Sequence, residues 1–61
     1  MPEAKPDIEY SSDGEETTFT ANTPAGEEFL RSPELTIPSI DAANIVASAR
    51  AAGLIVQPFF D

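Results

Sequence analysis

Polar and apolar side chains alternate on both sides of Asp13-Gly14, in the first third of the chain. Alternation with a period of two is typical of strands that bury one face, and Asp-Gly favours a tight hairpin turn because both of its residues can adopt positive φ. With these two residues as the loop, Tyr10 faces Thr17. The pattern therefore predicts a β-hairpin with two unlike faces. One face carries Ile8, Tyr10, Thr17, Phe19 and Ala21, and the other carries Asp7, Glu9, Glu16, Thr18 and Thr20.

A short helix is predicted over residues 25–31, directly after the hairpin. Thr23 is a suitable N-cap, and Pro24 fits the first helical position, where a missing N–H costs nothing. Ser32-Pro33 should end the helix because a residue that precedes proline disfavours the helical conformation. The side expected to be buried carries Phe29 and Leu30.

A second, longer helix is predicted from Ile40 to about Ala52. Ser39 is placed to cap its first turn, and Gly53 stands where a left-handed residue would end it. The spacing of apolar residues predicts one inner face of the helix, with small side chains that allow a close approach to a sheet. This face carries Ala42, Ile45, Val46 and Ala49.

Two further short strands complete the predicted fold. Residues 35–37 form a candidate strand closed by Pro38, and residues 54–57 read as a buried strand. The continuous apolar run of the latter is typical of a parallel, central position, and Pro58 is expected to stop its ladder. The predicted fold class is α+β, with the order β-β-α-(β)-α-β, a small mixed sheet and two helices on one face.

The length of 61 residues allows one small domain. Residues 1–6 hold two prolines and no large apolar side chain after Met1, so we predict a disordered N-terminal tail there and a single domain over residues 7–61. A chain of this size buries only about 60% of its unfolded surface. Because Cys and His are absent, a disulfide or a Cys/His metal site cannot add stability, and a partner is the remaining source of extra burial.

Acidic residues outnumber basic ones by 11 to 3, for a net charge of −8. This charge disfavours direct binding to nucleic acid or to an anionic membrane and favours basic partners. No segment approaches the ~20 apolar residues of a membrane span, and the first residues lack the apolar core of a signal peptide. A cytoplasmic protein is therefore expected.

The residue types argue against catalysis. General acid–base and nucleophilic chemistry most often use His, Cys or an activated Ser or Lys, and Lys5, the sole lysine, lies in the predicted tail. Adjacent carboxylates such as Glu15/Glu16 and Glu27/Glu28 do not face each other, whereas Asp7 and Glu9 would share a solvent-facing side of the hairpin. We therefore predict that the chain is not an enzyme and has no cofactor and no metal site.

The acidic side of the hairpin and the C-terminal aromatic pair are the candidate partner contacts. Alternation would send Phe59 and Phe60 to opposite sides of the sheet, and so small a core can hide only one ring. The contacts we predict are Asp7, Glu9, Glu16, Phe59 and Phe60.

These contacts favour a small protein-binding module whose partner is a second copy of the chain or a basic protein surface. One alternative is an inhibitor from a phage or other mobile element that mimics nucleic acid and blocks a basic surface of a host enzyme. Carboxylates on one face of a strand repeat every ~6.7 Å, whereas duplex DNA carries one charge per ~1.7 Å of its axis. The hairpin would therefore be only a sparse copy of DNA. Another alternative is an acid-rich protein of the halophile type, in which the charge serves solubility alone.

Overall fold

The structure, a computed structural model, describes residues 5–59. Its four strands form one mixed sheet in the order β3-β2-β1-β4; the β1-β2 and β2-β3 pairs are antiparallel and the β1-β4 pair is parallel. The predicted α+β fold and order of elements are confirmed, including the strand over residues 35–37. The elements are β1 (Ile8–Ser12), β2 (Glu16–Ala21), α1 (Pro24–Leu30), β3 (Glu34–Pro38), α2 (Ser39–Ala51) and β4 (Val56–Pro58).

The hairpin turn forms where predicted, but Asp13 lies before the loop instead of within it. Its carboxylate Oδ1 accepts the backbone N–H groups of Glu15 (3.2 Å) and Glu16 (3.0 Å), and its own N–H donates to the carbonyl of Glu16 (3.0 Å). The loop is therefore Gly14-Glu15, with positive φ at Gly14 alone (+106°). A glycine at the first central position is the pattern of a type II′ turn. The predicted Asp-Gly loop is wrong because the Asp13 side chain caps the turn from outside.

The change of loop shifts the hairpin register by two residues. Tyr10 pairs with Phe19, and Ser12 pairs with Thr17, whereas the predicted loop paired Tyr10 with Thr17. A shift of two preserves the side on which each strand residue lies, so both predicted faces keep their strand members, whereas Asp7 lies before β1. The side that faces the helices contains the fully buried side chains Ile8, Thr17 and Phe19.

Helix α1 begins as predicted and ends one residue early. The Thr23 hydroxyl accepts the N–H of Gly26 (3.2 Å), and Pro24 is the first helical residue. Arg31 ends the helix in the left-handed conformation, with φ +59°. Gly26 packs on the backbone of Asp7 so closely that a Cβ atom there would collide with the Asp7 carbonyl. A glycine is thus required where α1 crosses the start of β1.

Helix α2 begins at Ser39, and the predicted cap by the Ser39 side chain is wrong. Pro38 is the N-cap residue and makes no capping bond. The Ser39 hydroxyl lies 3.0 Å from that of Thr17 and 3.1 Å from that of Ser12, while the Ser39 N–H donates to the Glu15 carbonyl (2.8 Å). Because Thr17 is buried, its hydroxyl needs a partner, and Ser39 provides it.

The end of α2 agrees with the prediction. Gly53 has φ +91° and donates its N–H to the Arg50 carbonyl, while the N–H of Leu54 returns to the Ala49 carbonyl; both distances are 3.0 Å. These are the two hydrogen bonds of a Schellman motif, which needs a left-handed residue at this position.

Strand β4 differs from its prediction in its bounds, Val56–Pro58 instead of residues 54–57, and in its surroundings. It lies at an edge of the sheet, not in the centre, and Ile55 is half exposed. Pro58 pairs with Tyr10 within the strand, and the next residue, Phe59, donates its N–H to the Tyr10 carbonyl (2.7 Å). The apolar run suggested burial on both faces, but the helices cover one face only. Pro58 is tolerated because an edge strand needs donors on one side.

The core lies between the sheet and both helices. The predicted inner face of α2 packs against it, as do Phe29 and Leu30 of α1, and the Tyr10 and Phe19 rings are tilted at 38° with centroids 5.5 Å apart. Of the predicted tail, residues 1–4 lie outside the described part of the chain, and Lys5 is exposed. Pro6 is buried and belongs to the packed structure. The apolar centre consists of Ile8, Phe19, Leu30, Ala49 and Val56.

Candidate functional site: the open sheet face

The side of the sheet that faces away from the helices is the candidate site, and we call it the open sheet face. No helix within residues 5–59 packs on it, and its side chains follow from strand alternation. The face combines carboxylates, hydroxyls and one aromatic ring. Its members are Glu9 and Ser11 on β1, Glu16, Thr18 and Thr20 on β2, Glu34 and Thr36 on β3, and Gln57 and Phe59 on β4 and directly after it.

A row of hydroxyl groups crosses the middle of this face. Ser11 pairs with Thr18 and Thr18 pairs with Thr36, and the two threonine hydroxyls lie 3.1 Å apart. Phe59 continues the row beside Ser11, because Pro58 pairs with Tyr10. Between the ring and the strands lies a shallow depression of about 210 Å³. It is lined by Glu9, Tyr10, Ser11, Thr18, Thr20 and Phe59.

The carboxylates of the open sheet face are well separated. Thr20 pairs with both Glu9 and Glu34, so these two acids are two strands apart, or about 10 Å. Glu16 lies four residues along β2 from Thr20, or about 13 Å away. Within the described residues no three carboxylates form a group that could hold a metal ion. The structure therefore places the two predicted acids Glu9 and Glu16 on one face without bringing them together.

Asp7, the third predicted acid, serves the fold. Its carboxylate accepts the Thr23 hydroxyl (2.8 Å) and the Ile55 N–H (2.9 Å) on separate oxygens, and its carbonyl accepts the Asn22 N–H (2.9 Å). The hydrogen bond from the Ile55 backbone, and then that from Thr23, lower the pKa of Asp7. Asp7 thus joins β1, the start of α1 and the approach to β4, a role that the sequence analysis missed because all three partners are distant in the chain.

Two large apolar side chains border the open sheet face along β4. Phe59 is 54% exposed and Ile55 is 52% exposed, and alternation places both on the side of Gln57 because Val56 between them is buried. Phe59 lies on the opposite side of the sheet from α2, so it does not join the Ala-rich helix in one surface. Phe60 lies outside the described residues. Sequence analysis missed Ile55, although its position two residues before the polar Gln57 was a signal for exposure.

Both edges of the sheet are poor templates for an added strand. On β3, Pro38 has no N–H, and the Ser32 hydroxyl bonds both the carbonyl (2.7 Å) and the N–H (3.4 Å) of Glu34. On β4, Pro58 has no N–H and the Val56 carbonyl accepts the Arg50 guanidinium (3.2 Å). Proline and occupied backbone groups discourage edge pairing. A partner would therefore meet a face of this fold more readily than an edge.

Comparison with known proteins provides no relative: no protein-family model, curated protein or solved structure matches the chain. In the part of the chain that the structure describes, neither helix has the length and apolar character needed to cross a membrane. Only the geometry and charge of the open sheet face therefore bear on its function.

Proposed function

We propose that this chain is a non-enzymatic protein-binding module whose open sheet face docks a basic segment of another protein. The observation that carries the proposal is the composition of that face. Its described members include the carboxylates Glu9, Glu16 and Glu34 and no basic side chain, and the half-exposed Ile55 and Phe59 border it on one side. Separated acids beside apolar anchors suit an amphipathic partner.

Each part of the face contributes differently to such a complex. The acids attract a positively charged partner over a distance and orient it, which raises the association rate and the selectivity more than the affinity. The exposed Phe59 ring, beside the depression of the open sheet face, can enter an apolar pocket of the partner, and aromatic anchors of this kind dominate binding energies. We therefore expect a partner with lysine or arginine side chains about 10 Å apart next to an apolar patch.

Charge argues against a second copy on this same face. Face-to-face pairing would bring three carboxylates of each copy together, and the described members of this face include no Lys or Arg. The spacing of about 10 to 14 Å between acids also fits scattered basic residues better than a channel that follows closely spaced phosphates. The mobile-element inhibitor and the halophile-type protein thus remain alternatives, and a cytoplasmic location stays a prediction.

A defined peptide provides the test. We would titrate the protein with an amphipathic peptide of alternating Leu and Lys pairs and follow backbone amide shifts by NMR. The proposal expects shifts at Thr18, Thr20 and Thr36 and little change along α2. Between about 50 and about 200 mM salt the affinity should fall severalfold, because exposed charges are screened. A peptide with Glu in place of Lys should not bind.

Matched variants separate site binding from general charge attraction. Glu34→Gln removes one charge from the open sheet face, and Glu28→Gln removes one from the exposed surface of α1. The proposal expects at least a threefold loss of affinity for the first variant and little for the second, with a further loss in Phe59→Ser. Equal losses for the two glutamine variants, or shifts spread over the whole surface, would support the solubility reading and reject the proposal.

A further inference from the structure

The depression of the open sheet face has an aromatic ring on one side and a carboxylate on the other. Phe59 provides the ring and is 54% exposed. Its N–H donates to the Tyr10 carbonyl (2.7 Å), which fixes the backbone that carries the ring. The Tyr10 side chain lies on the helix side of the sheet, against Phe19. A ligand in the depression therefore meets the face of the Phe59 ring beside the carboxylate of Glu9.

A neutral amide holds the Glu9 carboxylate in position. The Glu9 Oε1 atom accepts a hydrogen bond from Nδ2 of Asn22 (2.8 Å), and the same Nδ2 group donates to the Pro6 carbonyl (3.1 Å). The backbone N–H of Asn22 donates to the Asp7 carbonyl (2.9 Å), so Asn22 is itself anchored at both ends. Because an amide carries no charge, it orients Glu9 without neutralising it.

The ring and the carboxylate are close enough to contact one planar cation together. Gln57 pairs with Glu9, and Phe59 follows two residues later, so the Cα atoms of Glu9 and Phe59 are about 8 Å apart on the diagonal. A cation above a ring lies within about 6 Å of the ring centroid, and its N–H groups approach a carboxylate to about 2.8 Å. Ser11, beside Phe59, is small and exposed and leaves space between the two groups.

We propose that the depression binds one arginine side chain of the docked segment, with its guanidinium stacked on Phe59 and hydrogen-bonded to Glu9. This inference rests on the proposed docking of a basic segment and names the residue that the site selects. A guanidinium is planar, so it can lie on a ring and present a fork of N–H donors to a carboxylate. The lysine ammonium is a compact, strongly hydrated charge and can use the carboxylate alone.

The size and polarity of the depression also fit one arginine side chain. Pockets for drug-sized ligands begin at about 300 Å³, whereas the depression has about 210 Å³. Its lining within residues 5–59 includes no basic side chain. A guanidinium has several N–H donors and no acceptor, so the hydroxyls of Ser11 and Thr18 can accept the donors that Glu9 does not.

Two peptides that differ only in their cations test this preference. The peptide of Leu and Lys pairs is compared with the same peptide carrying Arg at every Lys position, both titrated by NMR at one salt concentration. Because stacking of a cation at an exposed ring adds a modest gain, the Arg peptide should bind about twofold to about fivefold more tightly. The two sets of shifts should differ most at Ser11, Thr18 and Phe59. Equal affinities at the open sheet face would overturn the arginine site and leave the docking function intact.

Three variants locate the preference in the depression. Glu9→Gln removes the charge but keeps an oxygen for the Asn22 amide, and Phe59→Leu keeps an apolar side chain but removes the ring. Each should abolish the preference for Arg. Glu34→Gln is the matched control, because Glu34 lies on the same face outside the depression; it should weaken both peptides equally and preserve the preference. A preference that persists in Phe59→Leu, or disappears in Glu34→Gln, would overturn the proposal.

A capped amino acid separates the failure of the arginine site from the failure of docking. If neither peptide binds, docking of a basic segment is rejected, and N-acetyl-arginine amide is then titrated in the millimolar range at constant ionic strength. Larger amide shifts at Ser11, Thr18 and Phe59 than those caused by N-acetyl-lysine amide would support the arginine site by itself. Equal or absent shifts would overturn it together with the docking function.

Discussion

The open sheet face and the outer face of α2 lie on opposite sides of one thin, two-layer molecule. The first carries separated carboxylates, a row of hydroxyls and two apolar side chains at its edge. The second, formed by Ile40, Asn44, Ala47 and Ala51 on the side of α2 opposite the buried Ala49, carries no charged side chain among these residues. The same chain thus presents an acidic surface and a neutral one, so its net charge of −8 is unevenly distributed over the fold.

Loss of the shared core should produce the largest effect, because both surfaces depend on it. Phe19 is fully buried beneath the sheet, whereas Phe59 is exposed on the open sheet face. Phe19→Ala should reduce the free energy of unfolding by about 3–5 kcal/mol, enough to unfold a domain of this size. Thermal melts followed by circular dichroism measure the change.

Phe59→Ala is the matched control for this prediction. It removes the same ring from the other side of the sheet and should change stability by less than about 0.5 kcal/mol while it weakens peptide binding. If the two variants were equally unstable, Phe59 would be part of the core, and the contrast between the two sides of the sheet would be lost.

Each of the two glycines with positive φ should stabilise the element that carries one of the two surfaces: Gly14 the hairpin and Gly53 the helix α2. Gly14→Val strains the hairpin turn at φ +106°, and Gly53→Val strains the end of α2 at φ +91°. Each change should cost about 1–2 kcal/mol, because a β-branched residue resists this conformation. Amide hydrogen exchange should accelerate mainly in β1 and β2 for the first variant and mainly in the last turn of α2 for the second. If amide exchange accelerated uniformly along the chain in both variants, the hairpin and α2 would not be stabilised independently of each other.

Acid should weaken the connection that Asp7 makes between the layers. Hydrogen bonds from Ile55 and Thr23 hold the pKa of Asp7 below its ordinary value of 3.8, so the folded protein binds this proton less readily than the unfolded chain. The stabilisation is present above pH 3.8 and is lost as the pH falls through the lower folded pKa.

Melting temperatures between about pH 5 and about pH 2 test this prediction. Asp7→Asn should lower the melting temperature at neutral pH and should show a smaller further fall on acidification than the natural chain. Glu28→Gln, which removes an exposed carboxylate of α1, should follow the natural chain. An unchanged acid response in Asp7→Asn would contradict the assigned role.

The smallest effect is expected from the hydroxyl row. Thr18→Val keeps the β-branched shape and removes the hydrogen bond to the Thr36 hydroxyl (3.1 Å). Because this bond is exposed to solvent, stability should change by less than about 0.5 kcal/mol. A larger loss, measured by chemical denaturation, would show that the open sheet face is held together by its hydroxyls and not only by the core beneath it.

Much of the fold could be predicted because several signals act over a few residues. Thr23 and Pro24 start α1, Gly53 ends α2, and alternation in the hairpin separates the buried side from the open one. Glu9 and Glu16 of the predicted contacts were accordingly placed on the correct side of the sheet. The errors occurred where a side chain had two possible roles. Asp13 caps its turn from outside the loop instead of occupying it.

The role of Asp7 could not be predicted for a different reason. In the linear pattern it is one more polar residue of an exposed strand face. In the fold it accepts hydrogen bonds from Thr23 and Ile55, which are 16 and 48 residues away. The same dependence on distant elements put β4 at an edge and exposed Ile55, because the run of apolar residues carries no information about which face the helices cover.

The sequence by itself determined the kinds of elements, their order, and which side of each strand is apolar, because these depend on local backbone preferences and on spacing along the chain. Tertiary structure alone decided that the acids Glu9 and Glu34 share a face with Phe59 and that Asp7 joins the layers. These outcomes depend on which strands pair and on which face the helices pack, and both are set by contacts between residues far apart in the chain.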